Sequence, residues 1–223
     1  MVDIIILMDM SSSVGNLLEY YINGLNNIIK TQQKLNPKCR LSLVTFNHFS
    51  TVHFEHQQIT SLGELNPVHF KPNGATALYD SLMRVLVSEQ ENKNSIICIT
   101  MTDGVDNVSH LNHGHLNNFI QTLKTQNWSF VFLGSSMDAN QCGYRMGIDT
   151  CILYDESPSS ITRASDSVNV AIAKVCSSLS GQENFLSKQD IDLDVRDLVN
   201  KMCDMDIDDE FLEKDYTEMK IQN

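Results

Sequence analysis

Asp9-Met10-Ser11-Ser12-Ser13 sets one carboxylate, Asp9, and two hydroxyls, Ser11 and Ser13, at alternate positions directly after an apolar run. Some 60 residues on, Gly74-Ala75-Thr76 places a third hydroxyl on a loop that opens a helix, and Thr102-Asp103-Gly104 places a second carboxylate after another apolar run. All five groups are hard oxygen donors. Two carboxylates and three hydroxyls suit a small octahedral cation, Mg²⁺ or Mn²⁺, which keeps some water and accepts a further oxygen from elsewhere. Ser and Asp at strand-to-helix turns also serve as helix caps, so each segment alone is ambiguous. Their conjunction is what points to one cation site.

The elements that must hold these groups can be read from periodicity. Val2 to Met8 is apolar on both faces apart from Asp3, the pattern of a strand inside a parallel sheet, and it ends at Asp9. Val14, Leu17, Leu18, Tyr21, Leu25, Ile28 and Ile29 form the stripe of an amphipathic helix that runs from Val14 to about Leu35. Asn36-Pro37 stops it. Arg40 to Phe46 reads as a second strand and Thr51 to Glu55 as an antiparallel edge partner, followed by a connection over 57–74. Helical spacing over Thr76–Ser88, Leu111–Gln126, Ala139–Met146 and Ser159–Leu179 alternates with strands at Ser95–Met101, Trp128–Leu133 and Thr150–Leu153. The alternation predicts an α/β fold: a doubly wound, mostly parallel central sheet with one antiparallel edge strand and helices on both faces. In such sheets ligands sit outside the carboxyl ends of the strands, where strand order reverses.

Asp9-x-Ser11-x-Ser13, the later Gly-x-Thr and the Thr-Asp-Gly together resemble the von Willebrand factor A domain family with its metal-ion-dependent adhesion site. The likeness runs from Asp3 to about Leu153. It includes Phe132-Leu133-Gly134-Ser135-Ser136-Met137-Asp138-Ala139 and Met146-Gly147-Ile148, which look like the short stand-alone intracellular A domains of bacteria, phages and large viruses. The resemblance implies that Asp9, Ser11, Ser13, Thr76 and Asp103 coordinate the metal, the hydroxyls directly and the carboxylates partly through water. One departure is Ser12, which stands where the family usually has Gly. The loop must therefore accept a side chain there.

The reading that follows is a metal-dependent protein-binding module with no catalysis of its own. The open metal position takes an Asp or Glu of a protein partner, with Asn47, Ser50, Asp106, Asn107, Ser135 and Met137 shaping selectivity around it. A Mg²⁺-dependent phosphate-ester hydrolase and a structural subunit with a vestigial site stay open beside it. The hydrolase lacks an evident nucleophile or base. No Walker A, Gly-x-Gly-x-x-Gly or Gly-x-Ser-x-Gly sequence occurs, and Ser11 stands where a haloacid-dehalogenase-like phosphatase needs its second acid. His110, His113 and His115 read as a solvated loop and helix start, and His48, His53, His56 and His69 as lining the edge hairpin and its loop.

Composition sets the remaining bounds. The chain has 223 residues, 42% of them hydrophobic, and a net charge of −12, which repels nucleic acid. Residues 190–223 hold 12 acids against four bases, leaving residues 1–189 nearly balanced at −4. A domain over 1–187 and an acidic extension over 188–223 are expected, the latter with an amphipathic helix at Ile191, Val195, Leu198, Val199 and Met202. Its carboxylates are candidate competitors for the metal position. Asp190, Asp192 and Asp194 open like a calcium-binding EF loop, but Val195 and Lys201 occupy its Gly and Glu positions. No apolar run approaches a membrane span, the start lacks a signal sequence, and six cysteines show no CxxC spacing, so a reducing, cytoplasmic setting is expected.

Overall fold

The computed structural model describes residues 1–155 and 157–180. The predicted acidic extension and its amphipathic helix lie outside these. Chain order is β1 (Val2–Asp9), α1 (Leu18–Leu35), β2 (Arg40–Phe46), β3 (Ser50–Gln58), α2 (Leu78–Glu89), β4 (Ser95–Thr102), α3 (His113–Lys124), β5 (Trp128–Gly134), α4 (Met137–Arg145), β6 (Thr150–Leu153) and α5 (Pro158–Ser180). The sheet runs β3-β2-β1-β4-β5-β6, parallel at every pairing except the antiparallel edge β2–β3.

β1 is buried along its whole length, which explains its unbroken apolar sequence. Its alternating side chains feed two cores: Ile4, Ile6 and Met8 face α1 and α5, whereas Ile5 and Leu7 face α2, α3 and α4. Helix α1 supplies Tyr21, Ile22, Leu25, Ile28 and Ile29 to the first core. Helices α2 and α3 supply Leu78, Leu82, Leu86, Leu116 and Ile120 to the second. The chain leaves β1 for β2 on one side, and β4 joins on the other, so the carboxyl ends of β1 and β4 form the switch point of the sheet.

Three boundaries differ from the periodicity. The segment Ser12–Asn16 is a 3₁₀ turn rather than the first turn of α1, closed by Val14 N–H donating to Ser11 C=O and Leu17 N–H to Val14 C=O. Strand β3 reaches Gln58 because a bulge lets it continue pairing past Phe54. Helix α2 begins at Leu78, leaving Thr76 in the loop before it. None of the described helices is long and apolar enough to cross a membrane.

Candidate metal centre

Asp9 ends β1 and its side chain is fully buried. Its two oxygens have fixed donors: the Ser11 N–H reaches Oδ1 at 2.7 Å, and the Thr102 hydroxyl reaches Oδ2 at 2.6 Å. That hydroxyl in turn accepts the Gly104 N–H at 3.2 Å, so one threonine orients Asp9 and shapes the turn that carries Asp103. Burial raises the Asp9 pKa, the donated hydrogen bonds oppose this, and the charge of Asp103 raises it further. The two carboxylates thus feel each other across the switch point.

Ser11 Oγ, itself buried, lies 3.0 Å from Ser13 Oγ. Ser12 is exposed and its φ is not positive, so the side chain at the family's usual glycine position meets no backbone strain. Two backbone bonds stitch this loop to the one bearing Thr76: Ser12 N–H to Gly74 C=O at 3.0 Å, and Asn73 N–H to Met10 C=O at 2.9 Å. Thr76 is buried, and its backbone is clamped at both ends by Asn107. The Thr76 N–H donates to Asn107 Oδ1 at 3.0 Å, and the Asn107 N–H donates back to Thr76 C=O at 3.0 Å. All five predicted donors therefore stand on three stitched segments at one end of the sheet.

The six residues expected around the site differ in what their side chains do. Asp106 accepts N–H groups from Tyr79 at 3.1 Å and Ser109 at 3.1 Å, joining the loop after Asp103 to the first turn of α2. Asn47 accepts the Phe49 N–H at 3.0 Å and donates to Asn73 Oδ1 at 2.5 Å, building the β2–β3 turn. Ser135 donates to Asp103 C=O at 2.7 Å, and Ser50 Oγ is buried at the start of β3. Met137 is half exposed at the start of α4.

Periodicity missed the support behind the site. Thr102 stood in the Thr-Asp-Gly motif without a role of its own, although a hydroxyl at the last position of a buried strand is a signal. Tyr154 donates to Thr102 C=O at 3.0 Å and pairs with the buried Tyr21 hydroxyl, a contact across 133 positions that no local pattern carries. Burial, Tyr154 and then the charges of Asp103 and Asp9 push the Tyr21 pKa well up, so it stays a donor. Of the histidine trio, His110 meets Asp80 at 3.0 Å, and His115 forms a capping box with Asn112 at the start of α3. His115 acts within its own helix start, whereas His110 ties the loop before α3 to Asp80 of α2, 30 positions away.

The donor set fits a hard dication: two mutually repelling carboxylates, one buried, beside clustered hydroxyl oxygens. The von Willebrand factor type A domain model matches residues 3–148. Proximal thread matrix protein 1 from the mussel byssus superposes with a TM-score of 0.63 at 18% identity, covering 77% of this chain and 46% of that one. This chain thus spans under half the length of that protein. A second structure of it, described as having a zinc-occupied MIDAS motif, gives a TM-score of 0.59 with the same identity and coverage. The vWF domain of the type V pili tip protein Mfa5 from Porphyromonas gingivalis gives 0.60 at 11% identity, with 77% of this chain and 96% of that one covered. Comparison with curated proteins finds no match. At these identities the structures show the fold alone, while the match over residues 3–148 covers more than half of the sequence. The chain belongs to the von Willebrand factor type A domain family.

Proposed function

We propose that this domain is a protein-binding module whose contact depends on Mg²⁺ or Mn²⁺ held by Asp9, Ser11, Ser13, Thr76 and Asp103. The observation that carries the reading is the buried Asp9 carboxylate, held by Thr102 and Ser11 at the switch point beside the paired Ser11 and Ser13 hydroxyls. A carboxylate buried next to a second one is unfavourable alone, and a dication there relieves both the desolvation and the repulsion. When bound, the ion supplies an electrophilic position for an outside oxygen. An Asp or Glu of a partner protein is the fitting group, because a charge-assisted contact is stronger than a neutral one. Asn47, Asp106 and Asn107 act by building the loops, whereas Met137 presents an exposed apolar side chain to a partner.

Cysteines without paired spacing support a reducing, cytoplasmic setting, and those described are free thiols. Isothermal calorimetry with Mg²⁺ and Mn²⁺ tests the site. The wild type is expected to give a one-site isotherm that Asp9→Ala abolishes. An isotherm unchanged by Asp9→Ala overturns the assignment.

A further inference from the structure

A second cluster sits at the opposite end of the sheet. In the β2–β3 register Leu41 pairs with Gln57 and Leu43 with Phe54, so Glu55 and His56 together oppose Ser42. The extra residue is a β-bulge, in which His56 adopts φ 46° and its N–H donates to Ser42 Oγ at 2.8 Å. Strict alternation would send Glu55 and His56 to opposite faces. The bulge instead brings both toward Glu89, the last residue of α2. The ligand atoms of Glu55, His56 and Glu89 all lie within 4.8 Å of one another.

The electrostatics of this cluster are unbalanced. Asp3, 1% exposed, takes both contacting nitrogens of Arg40, at 2.7 and 2.6 Å, together with the Asn92 and Asn94 amides. Glu89, 6% exposed, has the neutral Asn92 amide at 3.0 Å on one oxygen and His56 Nε2 at 2.9 Å from the other. Among the described residues the carboxylates of Asp3, Glu55 and Glu89 have one permanently charged partner, Arg40, and it is committed to Asp3. Glu89 is thus buried with an amide on one oxygen and an imidazole on the other, and a bound dication would complement its charge. His56 Nδ1, a buried nitrogen without a hydrogen-bond partner, points toward Asp3 Oδ2 at 3.7 Å.

We propose that Glu55, His56 and Glu89 form a second metal site, specific for a borderline dication of the Zn²⁺ or Co²⁺ class. One imidazole nitrogen and two carboxylate oxygens match that class, whereas Mg²⁺ gains nothing from the nitrogen. Asp3 and Asp9 are six residues apart on β1, about 20 Å at the usual rise, so the two sites act independently.

The test uses the full chain carrying Asp9→Ala, which silences the first site. Co²⁺ is titrated by its visible absorption and Zn²⁺ by calorimetry. One saturable equivalent is expected to remain in Asp9→Ala. Adding Glu55→Gln or His56→Gln is expected to weaken it at least tenfold, and millimolar Mg²⁺ is expected not to displace it. Glu55 is exposed, so Glu55→Gln keeps its metal-free melting curve and decides the matter if the histidine variant folds poorly. Absence of a saturable equivalent in Asp9→Ala, or binding indifferent to both added substitutions, overturns the second site. Failure of Mg²⁺ binding by the wild type overturns the first site without touching this one.

Discussion

Asp9 gains no stabilisation for the fold from being charged. Its pKa is raised first by burial and also by Asp103, and the Thr102 and Ser11 donors only partly offset this. Asp103 is partly buried on the turn after β4 and belongs to neither core, so removing its carboxylate relieves repulsion without opening a core cavity. Asp103→Ala is therefore expected to melt at or above the wild-type temperature without metal, and to lose Mg²⁺ binding by calorimetry. A drop of many degrees in the metal-free melt would make Asp103 a structural residue instead. Of the candidate donors, Asp9, Ser11 and Ser13 were legible because they share one five-residue segment, and Thr76 and Asp103 because each stands in a short motif after an element. Thr102 was not, because its role depends on which strand lies beside β1.

At the scale of elements, the site rests on loops rather than on helices, and Gly74 is the point where two of them meet. It adopts φ 77°, a Cβ there would overlap the His48 ring, and its C=O receives the Ser12 N–H. Only glycine takes this conformation without strain. Gly74→Ala is expected to destabilise the domain by about 1–3 kcal/mol and to weaken Mg²⁺ binding, since Thr76 lies two residues on. Chemical denaturation and calorimetry on the same variant check both halves. A loss of stability with unchanged affinity would separate Thr76 from the metal. The 3₁₀ turn at Ser12–Asn16 matters in the same way. By delaying α1 to Leu18 it lets Ser11 and Ser13 hydroxyls lie side by side.

For the whole molecule, ligand binding adds directly to stability, because a metal that binds only the folded state shifts the unfolding equilibrium. At one hundred times its dissociation constant Mg²⁺ contributes about 2.7 kcal/mol, a rise of about 5–10 °C in melting temperature for a domain of this size. Thermal melts with Mg²⁺ and with a chelator are expected to differ by that amount in the wild type and to coincide in Asp9→Ala. Coincident wild-type curves would mean that the site does not bind in the folded domain. The sheet is braced by α1 and α5 on one face and by α2, α3 and α4 on the other, and Met10 and Val14 of the loop after β1 pack into the first core.

Sequence alone determined the alternation of strands and helices and the buried central strands, and it marked the three candidate donor segments, because each is written in local periodicity or in short runs of residue types. The antiparallel edge was legible too, since a short polar turn cannot carry a parallel crossover. Only the tertiary structure decided which strand ends meet. Strand order 3-2-1-4-5-6 sets β4 beside β1, so Thr102 reaches Asp9 across 93 positions and Tyr154 reaches Tyr21 across 133. The bulge that turns Glu55 and His56 toward Glu89 likewise depends on the register between two strands. Such contacts join residues that are distant in the chain, and a one-dimensional pattern carries no record of them.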